Sequence, residues 1–172
     1  QGNLLRSMNN FVGAQIVYEN LINGFPTHEM RYIAELSRAD CMLALAGNDS
    51  DGLADAVIIL ERLLDLPNLP LDFQAEAAQK WAFALIKSGS SEKAKEVLWL
   101  SVDRFIGDGE KAAALGAAGR YWLARSMLQL GEIFEKQDNL VEARKVYRQV
   151  IAYNLPGRHI AISRVDRILE VE

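Results

Sequence analysis

Apolar side chains recur at helical spacing along almost the whole chain, as at Phe11, Ala14, Tyr18, Leu21 and Ile22, or at Val97, Leu98, Val102 and Phe105. No stretch alternates with period two for long, so the pattern predicts an all-α fold. Short clusters of helix-breaking residues divide it: Asn23-Gly24-Phe25-Pro26, the run 47–52, Leu66-Pro67-Asn68-Leu69-Pro70, Ser88-Gly89-Ser90-Ser91, Gln137-Asp138-Asn139 and Asn154-Leu155-Pro156-Gly157. Between them the spacing predicts helices over 9–24, 28–46, 51–66, 70–88, 91–106, 109–136, 139–154 and 158–170. Ser91, and either Asp138 or Asn139, stand at helix starts as caps, the latter with Glu142 in the first turn. The span 109–136 contains Gly116 and Gly119, each about 1 kcal/mol worse than Ala in a helix interior, so a bend or break is expected there.

Paired helices with short turns call for a search for an internal period, and one is present. Ala143, Tyr147 and Val150 share their offsets with Ala14, Tyr18 and Leu21, and a proline follows each alanine by twelve or thirteen residues, at Pro26 and Pro156. Ala56, Leu60, Leu63 and Pro67 fit more loosely, as do Ala94, Leu98 and Ser101, where Ile106 replaces the proline. A small residue lets two helices approach closely, and a large one a turn later fills the gap between hairpins.

Leu130-Gly131-x-x-Phe134, followed by Ala143, Tyr147 and a terminal proline, resembles the tetratricopeptide repeat. Trp81-Ala82 with Leu85, Ala94 and Leu98 makes a further copy, and Ala39 with Met42 and Ala56 another, the last needing about five extra residues in its turn. In that copy Glu35 and Arg38 fall where the family has apolar side chains. The alanine spacings of 42, 38 and 49 all exceed the family's ~34, and the excess is expected mostly in 107–120. The resemblance implies a right-handed α-solenoid of antiparallel helix pairs: a single domain over 1–172 with about four pairs and a C-terminal capping or partial-repeat helix. Counting twelve back from Ala14 reaches Gly2, so the chain is expected to enter in the middle of a repeat's first helix and to be a piece of a longer protein. The ending Tyr18-x-x-Leu21-Ile22-x-x-Phe25-Pro26 is similar to repeats of bacterial envelope proteins, which implies a periplasmic or envelope setting.

Composition narrows the chemistry. The 172 residues are 50% hydrophobic and 24% charged, with a net charge of −4, so a packed core is expected and nucleic acid is not the expected ligand. No apolar run is long enough for a membrane span, and no membrane insertion is expected. One cysteine, Cys41, excludes an internal disulfide framework and has no basic sequence neighbour to activate it. His28-Glu29 opens like a zinc-protease helix, but Tyr32 stands where the second histidine belongs. His159 lacks an orienting acid, and the glycines of 107–119 match no phosphate loop. Neither a metal, a cofactor nor a catalytic residue is expected. Trp81, Trp99 and Trp122 are read as core or inter-repeat packing, and Glu132 and Glu135 as parts of a mixed surface with Arg125 and Lys136. Charge is uneven: 120–167 hold nine basic residues against five acidic, and 1–119 hold ten against sixteen.

In the tetratricopeptide family the first helix of each pair lines a concave face. By position, this resemblance places Glu76, Gln79, Phe83, Ile86 and Lys87 there in one repeat, and Arg125, Leu128, Glu132, Glu135 and Lys136 in the next. The partner site is expected at Glu76, Gln79, Phe83, Arg125, Leu128 and Glu132, with Phe83 as apolar anchor. The basic and asparagine set by which some members hold a C-terminal carboxylate is not reproduced. The expected function is a non-catalytic scaffold binding a protein or peptide. The alternatives are a recruiting arm of a larger enzyme or signalling protein, and a self-assembling solenoid that pairs through its end repeats.

Overall fold

The computed structural model describes residues 1–28, 30–47 and 49–171. Among these every regular element is an α-helix: α1 (Gly2–Ser7), α2 (Phe11–Gly24), α3 (Arg31–Ala46), α4 (Ser50–Leu64), α5 (Leu71–Lys87), α6 (Ser91–Ile106), α7 (Gly109–Ala114), α8 (Ala117–Lys136), α9 (Leu140–Ala152) and α10 (Arg158–Val171). Each packs on the next in chain order, except that the short α7 lies against α6 while α5 and α6 pack directly on α8. The architecture is an α-solenoid of helix pairs, α1–α2, α3–α4, α5–α6 and α8–α9, followed by α10 packed on α9.

What makes each pair is a close crossing. A Cβ on Gly131 would stand 2.5 Å from Cζ of Tyr147, and one on Gly2 would stand 2.7 Å from Cζ of Tyr18. Both distances are shorter than real contacts allow, so these two positions accept only glycine while a tyrosine crosses above. In the other pairs alanines, Ala39 and Ala82, take the glycine's place, and leucines, Leu60 and Leu98, cross; all four are fully buried. The smaller second-helix side chain leaves room for the methyl group.

The turns inside the pairs repeat with equal fidelity. Asn9 (φ 58°), Gly89 (φ 82°) and Asp138 (φ 58°) are left-handed at equivalent places. The next residue's N–H returns to a first-helix carbonyl each time: Asn10 to Leu5 (2.9 Å), Ser90 to Leu85 (2.8 Å) and Asn139 to Phe134 (2.9 Å). Asn10 and Asn139 then cap the second helix by accepting from the N–H groups of Gly13 and Glu142. Asn139, not Asp138, is therefore the cap. Ser91 is the first residue of α6 rather than its cap, and Ser90 at the cap position makes no side-chain bond.

One boundary expectation is corrected, and one break is located. The five extra residues of the second pair do not lengthen its turn, since the helices absorb them: α3 runs on to Ala46 beyond Ala39, and α4 starts at Ser50 ahead of Ala56. The expected helix over 109–136 is two, and they part at Leu115 and Gly116. The cause of that break lies on α5. Asp72 Oδ1 accepts the Gly116 N–H at 2.9 Å, so a carboxylate 44 residues away serves the N-terminus of α8. A side chain on Gly119 would meet Cγ of Asp72 at 2.8 Å and Cδ2 of Leu115 at 2.6 Å.

The core is three clusters in series: α2 with α3, α3 to α5, and α5 through α10. Trp81 and Leu64 border both larger clusters. Trp81 and Trp122 are half-buried; Trp99 is largely exposed but meets Phe134 edge-on across the repeat boundary, as inter-repeat packing requires. Glu35 and Arg38, placed where apolar residues were expected, are held in ion pairs: Glu35 with Arg31 and Arg62, Arg38 with Glu19. α10 repeats the burial of α8 thirty-five residues on, with Ala161, Val165 and Ile168 standing for Ser126, Leu130 and Ile133. At the crossing position it carries Asp166, which is exposed.

The Asp72 contact yields a prediction with an unusual sign. Helix propensity alone makes Gly119→Ala stabilising by about 1 kcal/mol. The clash makes it destabilising by about 1–3 kcal/mol, whereas Gly24→Ala, with nothing nearby, should cost nothing. Urea melts of both variants check this, and a more stable Gly119→Ala would contradict it.

Candidate functional site

The first helices are joined to one another by polar side chains. Asp40 on α3 takes Arg6 of α1 at 3.1 Å and Lys80 of α5 at 2.6 Å. Lys80 also pairs with Glu76, and its Nζ lies 5.0 Å from the Trp122 ring centre on α8. Gln79 donates to Gln129 of α8 at 3.2 Å. At the far end Arg164 of α10 reaches Glu132 at 3.1 Å and Glu135 at 3.2 Å, and Arg167 reaches Glu135 at 2.6 Å. Glu132 and Glu135 thus belong to an inter-helix clasp and not to a loose mixed surface with Arg125 and Lys136.

Two adjoining clefts open on this first-helix face. One, of about 350 Å³, is lined by Gln79, Arg125, Leu128, Glu132, Pro156 and Ile160 among others. Its neighbour, of about 360 Å³, is lined by Leu43, Phe83, Lys87, Trp122 and again Gln79 and Arg125, with Asp40 and Lys80 on its floor. The structure brings together five of the six residues expected from sequence: Gln79, Phe83, Arg125, Leu128 and Glu132 all line one cleft or the other. Glu76 lines neither and is spent on Lys80. Gln79 is only 4% exposed and bonded across to Gln129, so it shapes the floor rather than standing out to a partner. Phe83 is half-buried on the α3–α5 cluster beneath the Lys87 ammonium, 5.3 Å from its ring centre. Arg125 is exposed, donates to the Tyr121 hydroxyl at 3.1 Å and lies over that ring.

Several lining residues lie outside the site expected from the sequence, where Trp122 is read only as packing. Asp40, Lys80, Trp122 and Ile160 owe their places to partners forty or more residues away or to the register of α3 and α10. A run of residues in one helix carries no signal of that kind.

Burial pushes the Cys41 thiol up, and the nearby Arg6 only partly offsets this, which disfavours the nucleophilic thiolate. His28 Nδ1 accepts the Met30 N–H, and Glu29 lies outside the described residues. His159 is exposed. Among the described residues no group of three or more His, Cys, Asp or Glu could hold a metal ion, and no helix is long and apolar enough to cross a membrane.

Residues 125–154 match the family model described as tetratricopeptide repeat. The chain carries a tetratricopeptide repeat. The matched stretch is α9 with most of α8, the pair with the Gly131–Tyr147 crossing; α1–α2 and α5–α6 keep the same spacing from the small residue to the crossing residue, and α3–α4 exceeds it by five. Comparison with curated proteins and with solved structures gave no match. Tetratricopeptide repeats are typically non-catalytic units that engage other proteins.

The clasp at the end of the repeat is sensitive to alkali. Tyr147 donates its hydroxyl proton to Glu135 at 2.6 Å. Burial first, and then that carboxylate, push its phenol well above the ordinary range. The folded state therefore keeps a proton that the unfolded chain loses above about pH 10, and stability falls as pH rises past that point. The thermal midpoint of the protein should drop more steeply between pH 9 and 11 than that of Tyr147→Phe. Equal slopes would contradict the burial of this proton.

Proposed function

We propose that the chain is a non-catalytic interaction scaffold that holds a peptide or a partner helix in the two clefts of its first-helix face. The observation that carries this reading is the division of labour between helices. Second-helix residues such as Ala94, Ala143 and Tyr147 are fully buried and consumed by packing. Phe83, Arg125 and Leu128 instead project from the first helices into open clefts. A half-buried aromatic rimmed by polar groups is the kind of anchor whose truncation costs an interface ~2 kcal/mol or more.

Selection of a random 16-residue display library on the intact protein tests the reading. Peptides so selected should lose binding to Phe83→Ala/Arg125→Glu, which should still melt cooperatively, and keep it on Leu100→Ser/Arg148→Glu, changed on second helices α6 and α9. The reverse result would move the site to the second-helix face.

The bacterial envelope setting is likewise our proposal, supported by the Tyr18–Pro26 ending; a secretory leader or lipoprotein cysteine in the full reading frame is its test.

A further inference from the structure

Resting on the groove reading above, we propose that the clefts take an acidic partner segment. A carboxylate side chain lodges between Lys87 and Arg125, and an apolar side chain of the same segment sits on Leu128 and Ile160. The charges lining the clefts are not equivalent. Every acidic group there is neutralised from within: Asp40 by Arg6 and Lys80, and Glu132 by Arg164. Lys80 is spent on Asp40 and Glu76.

Lys87 and Arg125 differ from these. Lys87 donates to the Gly47 carbonyl at 2.9 Å, and Arg125 to the Tyr121 hydroxyl, both neutral acceptors. Both side chains are exposed, and both line the same cleft beside Phe83 and Trp122. An incoming carboxylate therefore meets two cations without breaking an ion pair, next to aromatic surface that limits competing water. A basic segment would meet the same two cations with no uncommitted carboxylate to receive it. A nucleic acid strand needs a longer run of cations than this pair supplies.

Arg125 lines both clefts, so a segment anchored there also reaches the second. The apolar part of that cleft, Ala124, Leu128, Pro156 and Ile160, offers a seat for an aliphatic or aromatic neighbour of the acid. The chain as a whole is acidic, with a net charge of −4, so the preference for an acidic partner is local to these clefts and runs against the overall charge.

The test uses fluorescein-labelled 11-residue peptide pools, with the central residue fixed as Glu, Gln or Lys, one leucine fixed two residues on, and the other positions mixed. Anisotropy at 50 mM salt should show the Glu pool binding about tenfold more tightly than the Gln pool. The Lys pool should bind more weakly still, and the Glu advantage should shrink at 500 mM salt. Lys87→Glu/Arg125→Glu, checked for an unchanged melt, should prefer the Lys pool. Equal binding of Glu and Gln pools, a Glu preference that survives in the double variant, or no binding by any pool would overturn the proposal. Pools that bind without regard to charge but lose binding to Phe83→Ala would leave the groove reading standing and remove only the acidic partner.

Discussion

The fold depends on how closely two helices can cross. At each crossing the first helix offers a residue with little or no side chain, and the second covers it with a large one. The sizes trade off along the chain: glycine lies under tyrosine in the first and last pairs, and alanine lies in the pairs whose crossing residue is leucine. The sum of the two side chains, rather than either one, is held nearly constant, as close-packed interiors require. Because the crossing fixes how each pair is set, it also fixes which side of every first helix faces outward.

The chemistry of the first-helix face follows from that placement. Side chains one or four positions after the crossing residue, such as Asp40, Phe83, Glu132 and Glu135, are brought into line across successive repeats. Their charges then meet partners on the neighbouring helix and are mostly cancelled there. Arg6, Asp40, Lys80 and Glu76 form one neutral group, and Glu132, Glu135, Arg164 and Arg167 another. Such pairs do not make the protein stable by their number. They tie first helices together, and among the described residues they leave Lys87 and Arg125 as the cleft cations without a carboxylate.

Much of this was legible in the sequence because the repeat is local. The offsets from Gly131 to Ala143 and Tyr147 lie within one hairpin, so periodicity and punctuation located the helices and the crossings. The position of Gly2 was equally accessible, by counting back from Ala14. The break at Gly116 was expected from its glycines, but its cause was not, since Asp72 sits 44 residues away. The same limit explains Gln79. Its register placed it on the first-helix face, while its burial depends on Gln129 in the next repeat. In α3 the extra residues were assigned to a turn because insertion in a loop is the simpler reading; helices lengthened at both sides of the turn give the same count.

The most direct test of the crossing rule is a double-mutant cycle in the last pair. Gly131→Ala, Tyr147→Leu and the double variant should be compared with the parent by urea unfolding. If space at the crossing is what matters, the added methyl costs stability beneath Tyr147 but little beneath leucine, as the Ala82–Leu98 pair already shows to be compatible. The account predicts a favourable coupling of about 1 kcal/mol or more. Strictly additive effects would contradict it, since they would mean that the glycine and the tyrosine do not compete for the same space.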